Sequence, residues 1–120
     1  MASNYHSDGG TVDYTNGGSE TIASGAPLAI GGLLAVALAD IAPGATGAAA
    51  IEGVWHLPKA SGAVSQGAAV DLDVSTGKVG KVGTPASGDL VGCAVAMETV
   101  ASGAATVAVK LNVPGAEVTA

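Results

Sequence analysis

Leu33-Leu34-Ala35-Val36-Ala37-Leu38-Ala39-Asp40-Ile41-Ala42 decides the fold, because it admits two readings. Ala and Leu head the helix-propensity scale, so composition alone favours a helix. Alternation favours a strand, with Leu34, Val36 and Leu38 facing one way and Ala35, Ala37 and Ala39 the other. A second copy of the pattern arbitrates. Ile22-Ala23-Ser24-Gly25-Ala26-Pro27-Leu28-Ala29-Ile30 precedes the stretch, and Ile41-Ala42-Pro43-Gly44-Ala45-Thr46 closes it. Val64-Ser65-Gln66-Gly67-Ala68-Ala69-Val70-Asp71-Leu72, Leu90-Val91-Gly92-Cys93-Ala94-Val95-Ala96 and Val100-Ala101-Ser102-Gly103-Ala104-Ala105-Thr106 repeat the three blocks in the same order. This internal repeat spans residues 22–51 and 64–111. In the second copy the middle block carries an internal Gly and β-branched residues, which suit a strand. Thr106 to Leu111 alternates more cleanly still, with Val107, Val109 and Leu111 on one face. The first copy is therefore read as β too. The expected fold is all-β: a small barrel or sandwich of short strands with an internal duplication and a flexible N-terminal arm.

The flanking residues fit short strands and tight turns. Pro43-Gly44 suits the central positions of a type II turn, and Ser24-Gly25, Gln66-Gly67 and Ser102-Gly103 stand at matching points. Thr11 to Thr15 alternates and ends at Asn16-Gly17, which predicts a two-residue hairpin with a return strand from Glu20 to Ile22. Val54 to Leu57 reads as a strand closed by Pro58. Val70 to Val74 and Lys78 to Val82 read as a hairpin across Ser75-Thr76-Gly77. That hairpin lies in an insertion, Asp73 to Asp89, which the first copy lacks. The expected organisation is an arm over residues 1–10, one β domain over 11–113 and a short tail over 114–120.

Composition narrows the function. The chain has 120 residues, enough for one domain. Its hydrophobic share of 48% consists mostly of Ala and Val, with no Phe, one Trp and two Tyr. A core built from such small side chains is thin, and association is the expected complement. The formal charge is −6, with four Lys and no Arg. Nucleic-acid affinity comes largely from neutralising phosphates with Lys and Arg, so nucleic acid is not an expected partner, nor is an anionic membrane surface. The longest apolar run, Pro27 to Ala39, is thirteen residues, short of the roughly 20 that a membrane span needs. The N-terminus lacks the basic and apolar regions of a secretory signal. Cys93 stands alone, so no intrachain disulfide is expected.

Motifs for catalysis are missing. The His residues are His6 in the arm and His56 beside Trp55, and no Gly-x-Ser-x-Gly elbow supports a nucleophile. Two His and one Cys far apart give no zinc spacing. Asp71 and Asp73, two apart on a strand, place both carboxylates on one side and read as a solvated, edge-protecting face. The Gly77-Lys78-Val79-Gly80 run lacks the first Gly and the Ser or Thr of a phosphate loop. No catalytic residue, cofactor or metal is expected.

Asp13-Tyr14-Thr15-Asn16, Gly53-Val54-Trp55-His56-Leu57-Pro58-Lys59 and the duplicated Gly-Ala blocks together resemble the capsid decoration, or cement, proteins of tailed phages. The likeness runs from about residue 4 to Leu111. It implies a β-rich, barrel-like subunit, made in the host cytoplasm, that sits on the outer surface of an icosahedral head and stabilises it. The implied partners are the major capsid protein and further copies of the chain, as a homodimer or homotrimer. Some members of the family carry the label "predicted recombinase", which the acidic charge, the missing Arg and the missing phosphate loop contradict. The candidate capsid or subunit contacts are Asn4 and Tyr5 in the arm, Tyr14, Trp55 and His56. The alternative is a virion-surface module for a host-surface ligand or carbohydrate, with Tyr5, Tyr14 and Trp55 as the available stacking rings.

Overall fold

Alternation prevails over propensity: Leu33–Ala37 is a strand. The computed structural model describes residues 9–81, 85–113 and 117–118. It contains β1 (Thr11–Thr15), β2 (Pro27–Ile30), β3 (Leu33–Ala37), β4 (Thr46–Ala50), β5 (Val54–Pro58), β6 (Ala69–Asp73), β7 (Lys78–Gly80), β8 (Leu90–Ala96), β9 (Thr106–Leu111) and β10 (Glu117–Val118). The all-β class is as expected, and of the two architectures it is the sandwich-like one. One antiparallel sheet runs β1-β4-β3-β2; the other runs β5-β9-β8-β6-β7, with β10 added against the start of β8. The stretch 114–120, read as a tail, thus contributes a two-residue strand.

The two sheets follow one plan. In each, the first strand lies beside the last long strand, and β1-β4-β3-β2 corresponds in order to β5-β9-β8-β6. The hydrogen bonds match residue for residue. Ile22 bridges Ile41 as Val64 bridges Val100. Gly25 N–H donates to Ala37 C=O as Gly67 N–H does to Ala96 C=O. Ser24 N–H is capped by Asp40 Oδ1, and Gln66 N–H by Thr99 Oγ1. Three of the Gly turns are type II: Ala26, Ala45 and Ala68 each donate to the residue three before, and Gly25, Gly44 and Gly67 supply the positive φ. Ala104 N–H donates likewise to Ala101 C=O, but Gly103 is outside the positive-φ set.

Two expectations need correction. Asn16-Gly17 does not make a hairpin, because β1 pairs with β4 over Thr11↔Ala50 to Thr15↔Thr46. Asn16 is instead a buried connector: its N–H donates to Ala45 C=O, its Nδ2 to Glu20 and Ile41 C=O, and its Oδ1 accepts Gly18 N–H. A non-local sheet outcompeted the local turn signal. The middle repeat block also shifts by two residues. Leu28 pairs with Ala35 and Val70 with Ala94, so Ala35 corresponds to Ala94 rather than to Gly92. A strand's faces alternate with period two, so this slip leaves every side chain on its expected face.

The main core lies in the second half. Its buried cluster runs from Leu57 through Val70, Leu72, Val79 and Leu90 to Val107, Val109 and Leu111. Each such Val or Leu contributes about 1.5–3 kcal/mol when fully buried. From the first sheet only Leu34 and Val36 join it, with Ala29 packed at its border. The opposite face of the first sheet carries Val12, Tyr14, Leu28, Ala35, Ala37 and Ala49, as the pairings dictate. Ile41 lies over that face against Gly47, where an added Cβ would come 2.8 Å from Ile41 Cγ1.

Candidate functional site

Buried polar groups are the usual flag for chemistry, and here they hold turns. Lys59 is 5% exposed, and its Nζ donates to the carbonyls of Ala60, Gly62 and Ser102 at 2.8, 2.7 and 3.0 Å. It stands where Asn16 stands in the first half: Lys59 N–H donates to Ala105 C=O, as Asn16 N–H does to Ala45 C=O. Asp89 is 1% exposed and accepts Val74 N–H and Ala86 N–H, closing the base of the inserted segment. Asp71, expected on a solvated face, is buried and accepts Gly92 N–H beside a β-bulge between Val70 and Leu72. Asp73 stays half-exposed and caps Ser75 N–H and Oγ. The bulge and the Gly92 amide draw one carboxylate inward and leave the other at the turn. Among the described residues, no three His, Cys, Asp or Glu side chains are grouped so that they could hold a metal ion.

Asn112 joins the sheets and was not legible beforehand. It adopts φ 58°, a left-handed conformation that Asn tolerates better than most residues. Its Oδ1 accepts Leu34 N–H, and its Nδ2 donates to Leu34 and Ile51 C=O, all at 2.8–2.9 Å. Its own N–H donates to Cys93 C=O. One side chain thereby ties β3 and the residue after β4 to the residue following β9. Beside it lies a groove of about 490 Å³ lined by Leu33, Ile51, Glu52, Lys110, Leu111 and Val113, among others. Leu33 and Val113 expose apolar surface there.

The described candidate contacts fall on two different sheets. Asn4 and Tyr5 lie outside the described residues. Tyr14 sits on β1, half-buried on the same face as Val12, whereas Trp55 and His56 sit on β5 in the other sheet. Trp55 shares the inward face of β5 with Leu57, packs against the core and donates its indole N–H to Glu52 C=O at 2.8 Å. His56 lies on the outer face between Val54, 53% exposed, and Pro58. Lone residue types could not reveal this, because which face of a strand is covered depends on the sheet above it.

Cys93 is fully buried, with its Sγ 3.5 Å from Val70 C=O. Burial raises its pKa to about 12. In the unfolded chain a thiol ionises near 8.5. The unfolded state therefore loses its proton first as pH rises, and stability falls between roughly pH 8.5 and 12 by linkage. The Cys93→Ala variant should lose less stability over that range, measured by urea denaturation at pH 8 and pH 10.5; equal losses would contradict this assignment.

No curated protein matches the chain, and no solved structure does. A family model described as phage cement protein matches residues 6–111, across both sheets, and the chain belongs to that family.

Proposed function

We propose that this protein binds the outer surface of an icosahedral phage head as a homo-oligomer and stabilises the head by bridging neighbouring capsomers. The observation that carries the reading is the cement-family match over residues 6–111, which includes every strand from β1 to β9. The structure supplies a physical basis. The buried polar side chains are committed to turns and sheet junctions, which suits a scaffold. Apolar side chains at Leu33, Leu38, Val54, Val74, Met97 and Val113 remain exposed, available for burial on a partner surface. Weak contacts suffice when many copies act together, because each bound copy adds to the cost of separating the subunits it spans. The protein acts as a structural component, made in the host cytoplasm and placed on the major capsid protein after the lattice forms. Its folded unit is residues 11–113, to which Glu117–Val118 adds a short strand against β8. The arm over residues 1–10, with Asn4 and Tyr5, supplies contacts to capsid or a neighbouring subunit, and Tyr14, Trp55 and His56 mark the outer strands that do the same.

Co-sedimentation with undecorated heads tests this reading. Bound copies per head should rise to a plateau, and deleting residues 1–10 should weaken binding while leaving the subunit folded, with a small fall in its thermal midpoint because Ile51 N–H loses its acceptor, Gly10 C=O. Absence of saturable binding by the full chain would contradict the reading.

A further inference from the structure

The groove beside Asn112 lies at the root of the N-terminal arm. Gly9, where the described chain starts, forms part of its wall. The next residue is fastened there, because Gly10 C=O accepts Ile51 N–H at 3.0 Å. Leu33, Ile51, Leu111 and Val113 make the lining apolar, and Glu52 and Lys110 add one charge of each sign. Leu33 and Val113 keep 37% and 39% of their surface exposed. The groove is preformed. Asn112 binds Leu34 and Ile51, so its hydrogen bonds fix the backbone of all three segments that supply this lining. At about 490 Å³ the space matches a site for a small ligand or a single large side chain.

We propose that this groove seats the chain's own arm, with the Tyr5 ring inserted among Leu33, Ile51 and Val113. The inference goes beyond the capsid-binding reading and does not depend on it. Connectivity selects the occupant. Tyr5 carries the arm's one aromatic ring and stands four residues before Gly9, a span of at most about 13 Å. A tether this short holds the ring at an effective concentration on the order of millimolar, above what a second copy supplies in dilute solution. Chemistry agrees. A tyrosine combines an apolar body with a polar tip, which suits an apolar lining where the Glu52 carboxylate can accept the phenol O–H. Asp8 adjoins Gly9, and the cation in the lining is Lys110. Residues 114–116, which continue from Val113 on the other side, are Pro, Gly and Ala and bring no ring. Successive side chains of an extended segment alternate in direction. Docking of Tyr5 therefore turns Asn4 and His6 outward and orders the arm on its own subunit before any partner arrives.

Methyl NMR on the free, full chain tests the inference without any capsid. Nuclear Overhauser effects should link the Tyr5 ring to methyl groups of Leu33, Ile51 and Val113. In a mixture of labelled and unlabelled chains, isotope-filtered spectra should show no such effects between molecules. The Tyr5→Ala variant should shift the methyl signals of those three residues through loss of the ring current. Signals of Val70 and Val107, buried in the core, should stay in place and so show that the variant is folded. The Tyr5→Phe variant keeps the ring and should leave the groove signals close to those of the unaltered chain. Groove signals that do not move in Tyr5→Ala would overturn the inference. Effects seen only between molecules would overturn it as well, and would assign the groove to the arm of a second copy.

Discussion

The Asn112→Ala variant should lose about 3 kcal/mol of unfolding free energy, the upper part of the usual range for one substitution. Three side-chain hydrogen bonds disappear at once, and Leu34 N–H and C=O and Ile51 C=O lose their partner in part-buried surroundings. An orphaned buried group costs about 1–3 kcal/mol, and water entering the adjoining groove recovers part of that. Ala also tolerates the left-handed backbone at φ 58° poorly, at a cost of about 1 kcal/mol. For a domain of this size the loss corresponds to a fall of about 10 °C in Tm, measurable by calorimetry. The Asn112→Gly variant should fall less, because Gly accepts the backbone conformation while losing the same hydrogen bonds. Equal losses for Ala and Gly would mean that backbone strain is not a factor. A loss under about 1 kcal/mol in both would mean that the junction is held elsewhere.

The Lys59→Met variant is expected to lose about 2–3 kcal/mol, since hydrogen bonds from a charged donor are worth about 1.5–3 kcal/mol each, before the relief of desolvating the ammonium. Met keeps the buried stem and removes the donor, so packing is nearly unchanged. The three carbonyls it releases belong to two segments far apart in sequence, Ala60–Gly62 and Ser102. Their separation should appear as faster amide exchange at Val64 and Val100, which bridge one another beside that turn. Urea denaturation supplies the free energy, and a change below about 0.5 kcal/mol, the level of an ordinary surface substitution, would contradict the strut role.

These two residues show where sequence reasoning reached its limit. Alternation over Leu33 to Ala37 revealed the strand, and the Gly positions revealed the turns, because both signals are local. The duplicated blocks revealed that two similar halves exist, although the matching first strands, β1 and β5, share no sequence pattern. Asn16 and Lys59 occupy equivalent positions with unrelated side chains, alike only in ending with donors that reach carbonyls. Asn16-Gly17 carries the strongest local hairpin signal in the chain, yet the sheet partner of β1 is β4, more than thirty residues away. Asn112 was invisible because its partners, Leu34 and Ile51, are 78 and 61 residues distant.

The functional surface was less legible than the fold, for a related reason. Trp55 stands out by size, but its face is set by β9 alongside and by the core beneath it. Tyr14 and Leu57 hold matching places and differ in burial, and Leu57 lies in the buried cluster that includes Val79 of β7. Exposure is a property of what lies over a strand, which no residue in the strand itself records. The Asp73 to Asp89 insertion was readable as the difference between the halves. Its place at the edge of the second sheet rests on pairing with β6 and on the bridge from Val79 to Lys59, which no local signal carries.

The central claim is that this chain strengthens a phage head, and heat disruption of purified heads tests it most directly. Undecorated heads are heated with and without saturating protein, and loss of intact particles is followed by light scattering and electron microscopy. Saturated heads should survive to a higher temperature, with the gain rising in step with the number of bound copies. Heads that saturate with protein and fail at the same temperature as bare ones would contradict the account.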